Sequence, residues 1–150
     1  MTDVIEVTVH IAAPRETVFA YFTDPSRYLE WMGSDATLDP VPGGAYRVHM
    51  RDGVEARGEF VALEPPHRVE FTWGWAGDNE VPPGSSRVVV TLTVEDGGTR
   101  VVLRHHGLPS DQQREHHRQG WLLHLSRLVT RASGGTSQAR SERDSNPRDE

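Results

Sequence analysis

Residues Arg87–His106 read RVVVTLTVEDGGTRVVLRHH, and Ser110–Thr130 read SDQQREHHRQGWLLHLSRLVT. The first stretch holds two alternating apolar runs about Asp96-Gly97, the pattern of a β-hairpin. A four-residue loop, Glu95 to Gly98, sets Leu92 against Val101, Val90 against Leu103 and Val88 against His105. The opposite face then pairs Thr93 with Arg100 and Val89 with Arg104. His105 falls on the apolar face and His106 on the wet one. The second stretch opens with a capping box, Ser110 to Gln113, in which Gln113 reaches back. Its apolar stripe is Trp121, Leu122, Leu125, Leu128 and Val129. The first two turns, Asp111 to Arg118, are almost wholly polar, so the helix docks by its C-terminal half. Arg127 and Arg131 suit the negative end of the helix dipole.

Upstream, Ile5, Val7, Val9 and Ile11 alternate with polar residues as a half-buried strand does. Pro14 opens a short helix with Val18, Phe19 and Phe22 on one face, and Asp24-Pro25 caps and starts a second. A strand carrying Ala36 and Leu38 follows, then Ala45 to Arg51. A three-residue loop, Asp52 to Val54, places Arg51 opposite Glu55 and Arg47 opposite Glu59. The same register sets Met50 by Ala56, Val48 by Gly58 and Tyr46 by Phe60. Val69, Phe71 and Trp73 alternate in the next strand, and Trp75 stands beside a Gly- and Pro-rich loop, Ala76 to Ser85. One strand, two short helices, about six strands and one long helix make an α+β fold with an antiparallel sheet. One helix covers only one face of such a sheet, so the sheet curls around it or leaves a gap beneath it.

The 150 residues carry a net charge of −6, which argues against a nucleic-acid binder. No apolar run reaches the roughly 20 residues of a membrane span. Met1-Thr2-Asp3 lacks the basic flank of a signal peptide, so a cytoplasmic location is expected. Cysteine is absent, which removes disulfides, thiolate nucleophiles and iron–sulfur clusters. All 16 basic residues are arginine, which removes Schiff-base chemistry. Residues 133–150 contain no aliphatic or aromatic anchor and read as a disordered tail after a domain at 1–132.

Ile11-Ala12-Ala13-Pro14 with Val18-Phe19, then Thr23-Asp24-Pro25 with Trp31, open an ordered set of elements. Pro42-Gly43-Gly44-Ala45-Tyr46-Arg47, Gly58, Glu64-Pro65-Pro66 and Phe71-Thr72-Trp73 continue it, and Gly98-Thr99 and Gly120-Trp121 with Leu125 complete it. In this order they closely resemble the SRPBCC (START-like) superfamily. More narrowly, they are similar to the branch named after the activator of heat-shock-protein-90 ATPase homologue. The resemblance spans about Val4 to Arg131. It implies the helix-grip fold, a curved antiparallel sheet of six to seven strands around a long C-terminal helix. It also implies an interior cavity that often holds a lipid, polyketide or other hydrophobic molecule. It also suggests chaperone contact, while Ile5 to Ile11, read as an edge strand, offers a homodimer a place to pair.

The concave face in these registers carries Tyr46, Val48, Met50, Phe60, Phe71, Trp73, Val90, Leu92, Leu103 and His105. The helix adds Trp121, Leu122 and Leu125, and Trp31 closes one end. These residues either line a ligand site or meet and fill the space as core. Binding of a small hydrophobic or amphipathic ligand is the leading expectation, with no cofactor and no chemistry of the protein's own. The alternative is a cyclase or hydrolase with His105 as base and Tyr46 or Trp73 orienting substrate. A third reading is a chaperone-associated interaction module, which requires an exposed apolar patch instead of an enclosed hollow. The 8 histidines make no metal set: His105 and His106 point apart, and His117 and His124 stand roughly 10.5 Å apart along one helix. Gly120 costs its helix about 1 kcal/mol against alanine, and close backbone packing or a ligand accounts for it.

Overall fold

The computed structural model describes residues 4–133. The chain runs β1 (Ile5–Ile11), α1 (Arg15–Thr23), α2 (Pro25–Tyr28), β2 (Asp35–Leu38), β3 (Ala45–His49), β4 (Glu55–Glu64), β5 (Arg68–Trp73), β6 (Ser86–Glu95), β7 (Gly98–His106) and α3 (Asp111–Ser133). The seven strands form one antiparallel sheet in the order β1-β7-β6-β5-β4-β3-β2. Only β1 leaves sequence order, crossing to pair with β7 from Ile5↔His105 to Ile11↔Thr99. The sheet curves around α3, which is the helix-grip architecture. The expected tail lies, after Ser133, outside the described residues; Ser133 itself closes α3, and its hydroxyl accepts from the Ala12 N–H at 3.0 Å.

The β6–β7 register is the one the alternation dictates, with Val88↔His105, Val90↔Leu103 and Leu92↔Val101. The turn is tighter than the four-residue loop. Glu95 pairs with Gly98, and Asp96 and Gly97 alone turn the chain at φ 49° and 76°. Both values are left-handed, as a two-residue turn matched to strand twist requires.

The β3–β4 register differs from expectation by two residues. Tyr46 faces Gly58, Val48 faces Ala56 and His49 faces Glu55. A loop of five residues, Met50 to Val54, replaces the three-residue one, closed by the Met50 N–H on the Val54 carbonyl at 2.8 Å. Large side chains thereby oppose small ones, and Tyr46 gains room to stack on Phe71. Glu55 pairs with His49 at 3.1 Å and with Arg57 at 2.7 Å, and not with Arg51.

Gly58 is dictated by more than space opposite Tyr46. A Cβ there would stand 1.9 Å from the Thr72 carbonyl oxygen, a backbone atom that cannot rotate away. The Glu59 N–H, next along, donates to Thr72 Oγ1 at 3.0 Å. Gly58→Ala must therefore part β4 from β5. Overpacking of this kind costs about 3 kcal/mol, or roughly 10 °C in Tm. Thermal denaturation by circular dichroism measures it, and an unchanged Tm would show that β4 and β5 are not so closely apposed.

On the helix side, Asp24 accepts from the Ser26 N–H at 2.9 Å and caps α2. Val18, Tyr21 and Phe22 are the buried residues of α1, with Phe19 only half-buried. Ser110 Oγ accepts from the Gln113 N–H at 3.1 Å, as a cap should. The Gln113 side chain does not reach back but donates to Glu80 at 2.6 Å. α3 buries His117, Trp121, Leu125, Leu128 and Ala132. Leu122, expected in that stripe, is 40% exposed, because one residue turns a helix by about 100°.

Candidate functional site

The hollow between sheet and helix divides into a filled half and an open half. In the filled half, Trp31 sits edge-on to Phe22 at 5.2 Å and to Tyr28 at 5.0 Å. Tyr28 meets Tyr46 edge-on, and their hydroxyls hydrogen-bond to each other. Tyr46 stacks on Phe71 at 4.2 Å and packs against Phe60 at 5.9 Å. Burial pushes both tyrosine hydroxyls well above their ordinary pKa, so they stay protonated. Val48, Val90, Leu92, Leu103 and Leu125 complete this side, each at most 2% exposed.

The open half is a cleft of about 300 Å³ between the middle of α3, the end of β5 and the β3–β4 loop. Of the fourteen ligand-site residues expected from sequence, Met50, Trp73 and Trp121 line it. Trp31 lines a neighbouring hollow, and Leu122 faces outward. The other nine are buried outside the cleft wall. Sequence reasoning missed Met32 and Gly33 from the turn between α2 and β2, Arg51, Asp52 and Val54 from the loop, and His116, His117, His124 and Arg127 on α3. Trp75, beside the Gly- and Pro-rich loop, is a wall of the cleft. Gly120 lines it too, and a Cβ placed there meets nothing within 4 Å. Close backbone packing does not account for this glycine.

Two tryptophan–histidine pairs build the cleft wall and its support. The Trp121 indole N–H donates to His105 Nδ1 at 3.0 Å. An indole only donates, so Nδ1 must be bare and the proton must sit on Nε2. Nε2 lies 2.9 Å from Ser86 Oγ, which in turn donates to the Trp73 carbonyl at 2.8 Å. Every donor has an acceptor only while His105 is neutral. Burial first, then His117 and His106 nearby, push its pKa down to about 3. The Trp75 N–H donates likewise to His117 Nε2 at 3.0 Å, and His117 Nδ1 donates to the Gln113 carbonyl at 2.8 Å. Burial lowers the His117 pKa, partly offset by that carbonyl.

Two polar atoms of the lining residues lack partners. The Trp73 indole N–H and His124 Nδ1 are buried, and neither makes a hydrogen bond. Burial lowers the His124 pKa, partly offset by the Trp31 backbone carbonyl, so the ring is neutral. Such groups cost about 1–3 kcal/mol each while unpaired. Among the described residues, no three of His, Asp and Glu converge as a metal site. No helix among them is long and apolar enough to cross a membrane.

The same architecture occurs in solved structures. An AHSA1-like protein from Rhizobium etli, determined by NMR in solution, is 40% identical with TM-score 0.70, over 98% of this chain and 94% of that one. CalU16 from Micromonospora echinospora is 27% identical with TM-score 0.71, over 87% of this chain and 76% of that one. DynU16, a protein of the dynemicin biosynthetic locus, is 26% identical with TM-score 0.76 over 87% of this chain. This chain spans about half of DynU16, 47% of its length. No curated protein matches the chain. The family described as activator of Hsp90 ATPase homolog 1-like protein matches residues 12–133, from the end of β1 through the last residue of α3. The chain belongs to that family.

Proposed function

We propose that this protein binds a small molecule with an apolar, ring-bearing body and at least one hydrogen-bonding group, in the cleft beside α3. The observation that carries the reading is the pair of unpartnered atoms, Trp73 Nε1 and His124 Nδ1, on residues lining one aromatic cleft. Buried polar atoms without partners are costly, and a ligand group that pairs with them recovers that cost. About 300 Å³ is at the small end of ligand pockets and suits two or three rings rather than an extended acyl chain. DynU16, which belongs to a biosynthetic locus, supports a small organic molecule as the kind of ligand.

Catalysis centred on His105 has less support. Both ring nitrogens are engaged by Trp121 and Ser86, and the residue is absent from the cleft lining.

Trp73, Trp75 and Trp121 all line the cleft, so occupancy is readable in tryptophan emission. Titration with the neutral fluorophore N-phenyl-1-naphthylamine should give saturable energy transfer at one site. A Kd on the order of 10–100 μM follows from roughly 0.3–0.4 kcal/mol per non-hydrogen atom. Absence of saturable transfer, with no heat of binding from a panel of two- and three-ring aromatic compounds, would overturn the reading.

A further inference from the structure

We infer that the cleft selects organic anions: a ring system lodged on Trp73 and Trp121, with its carboxylate, sulfonate or phosphate held at the mouth by Arg51 and Arg127. This rests on the binding role proposed above and adds the charge of the ligand.

A second hollow of about 440 Å³ adjoins the cleft, and Arg51 and Arg127 line both. They therefore stand on the rim between the two. Arg131 lines the second hollow as well. Three arginines from two separate elements, the β3–β4 loop and α3, thus line one hollow. None of the three makes an ion pair or side-chain hydrogen bond among the described residues. Several arginines elsewhere are engaged: Arg57, Arg68, Arg87 and Arg104 bind carboxylates at 2.7, 2.6, 3.1 and 2.7 Å.

The acids at the opening have other partners. Asp52 Oδ1 accepts from the Val54 N–H at 3.3 Å within its own turn. Glu30 accepts from the Tyr21 hydroxyl at 3.3 Å and faces Arg27 at 3.7 Å. Three arginines against two carboxylates leave this opening positive, on a chain whose net charge is −6. The helix dipole gives Arg131 a structural reason, since it lies in the last turn of α3. It gives none for Arg51, which lies in the loop. A guanidinium fork presents paired N–H donors that match a carboxylate or a tetrahedral oxyanion, and like charges left side by side favour an anion between them.

A matched pair of probes tests the charge. 8-Anilinonaphthalene-1-sulfonate and N-phenyl-1-naphthylamine share a ring scaffold and differ in the sulfonate. The full chain should bind the sulfonate about tenfold more tightly, and 0.5 M salt should remove much of that margin. Arg51→Gln with Arg127→Gln should weaken the sulfonate by about tenfold or more. The same double variant should weaken the neutral probe far less, so that the two affinities converge, and its circular-dichroism melt reports an intact fold. Arg100→Gln, an exposed arginine remote from the cleft, should change neither. Equal affinity for the two probes overturns the inference and leaves the cleft reading standing. So does a sulfonate preference that survives the double variant, or one that Arg100→Gln weakens equally. Failure of both probes to bind overturns the cleft reading and the inference together.

Discussion

Acidification from pH 7 to pH 5 is expected to cost this fold about 2 kcal/mol through His105 alone. The unfolded imidazole takes up its proton near 6.5, whereas the folded one resists until about 3. Over that interval the unfolded state binds the extra proton, so stability falls as pH falls. The full contribution is present above 6.5, declines by about 1.4 kcal/mol per pH unit below it, and levels off near 3. His117 and His124 are shifted in the same direction and steepen the fall. Carboxylates held below their usual range, Asp24 and Glu55, act only at lower pH and leave the first part of this window to the histidines. Urea midpoints at pH 7, 6 and 5 measure the slope. His105→Gln preserves an acceptor for Trp121 and a donor for Ser86, and should remove about one proton from it. A wild-type midpoint that stays level from pH 7 to pH 5 would mean that His105 is not held neutral in the folded state.

Gly120→Leu is expected to abolish ligand binding while leaving the protein folded. The substitution replaces a residue that costs helices about 1 kcal/mol with one of high propensity. Its Cβ meets no atom within 4 Å, and the rest of the side chain extends toward a hollow of about 300 Å³. The N-phenyl-1-naphthylamine signal should disappear, and Tm should hold or rise by a few degrees. Gly120→Ala separates the two effects, since a single methyl should stabilise the helix by about 1 kcal/mol and only narrow the cleft. Full probe affinity in the leucine variant would place the binding site elsewhere.

These expectations rest on features of unequal legibility. The β6–β7 pairing was readable from its alternation about Asp96-Gly97, although the turn is two residues shorter than the loop read there. In β3–β4, alternation permits two answers. A slide of two residues keeps every side chain on its own face, so the apolar pattern survives while each cross-strand partner changes. What settles the choice is volume: Tyr46 requires Gly58 across from it, and Val48 takes Ala56. That slide lengthens the loop, separates Arg51 from Glu55, and brings Met50, Arg51 and Asp52 to the cleft. The inward direction of Tyr46, Phe60 and Phe71 was likewise legible, but periodicity cannot say whether facing rings touch. The ring contacts that fill one half depend on distances between elements far apart in sequence. A clue to the open half was present in α3. His117, Gly120 and His124 follow the same helical spacing as Trp121, Leu125 and Leu128, and so interrupt a buried stripe with polar groups and a missing side chain.

The first strand waits on the last. Ile5 pairs with His105, and Ala12 is tied to Ser133. At ribosomal speeds, roughly 5–20 s of synthesis separate β1 from its strand partner β7. Contacts so distant in sequence also slow folding from the denatured chain, because loop closure precedes any reward. During that delay the nascent segment is an orphan edge, open to pairing with another chain. Its outward row of Glu6, Thr8 and His10 counters this hazard, since polar and charged side chains discourage edge-to-edge association. The cleft, walled by α3, comes into being only after every strand of the sheet has been made.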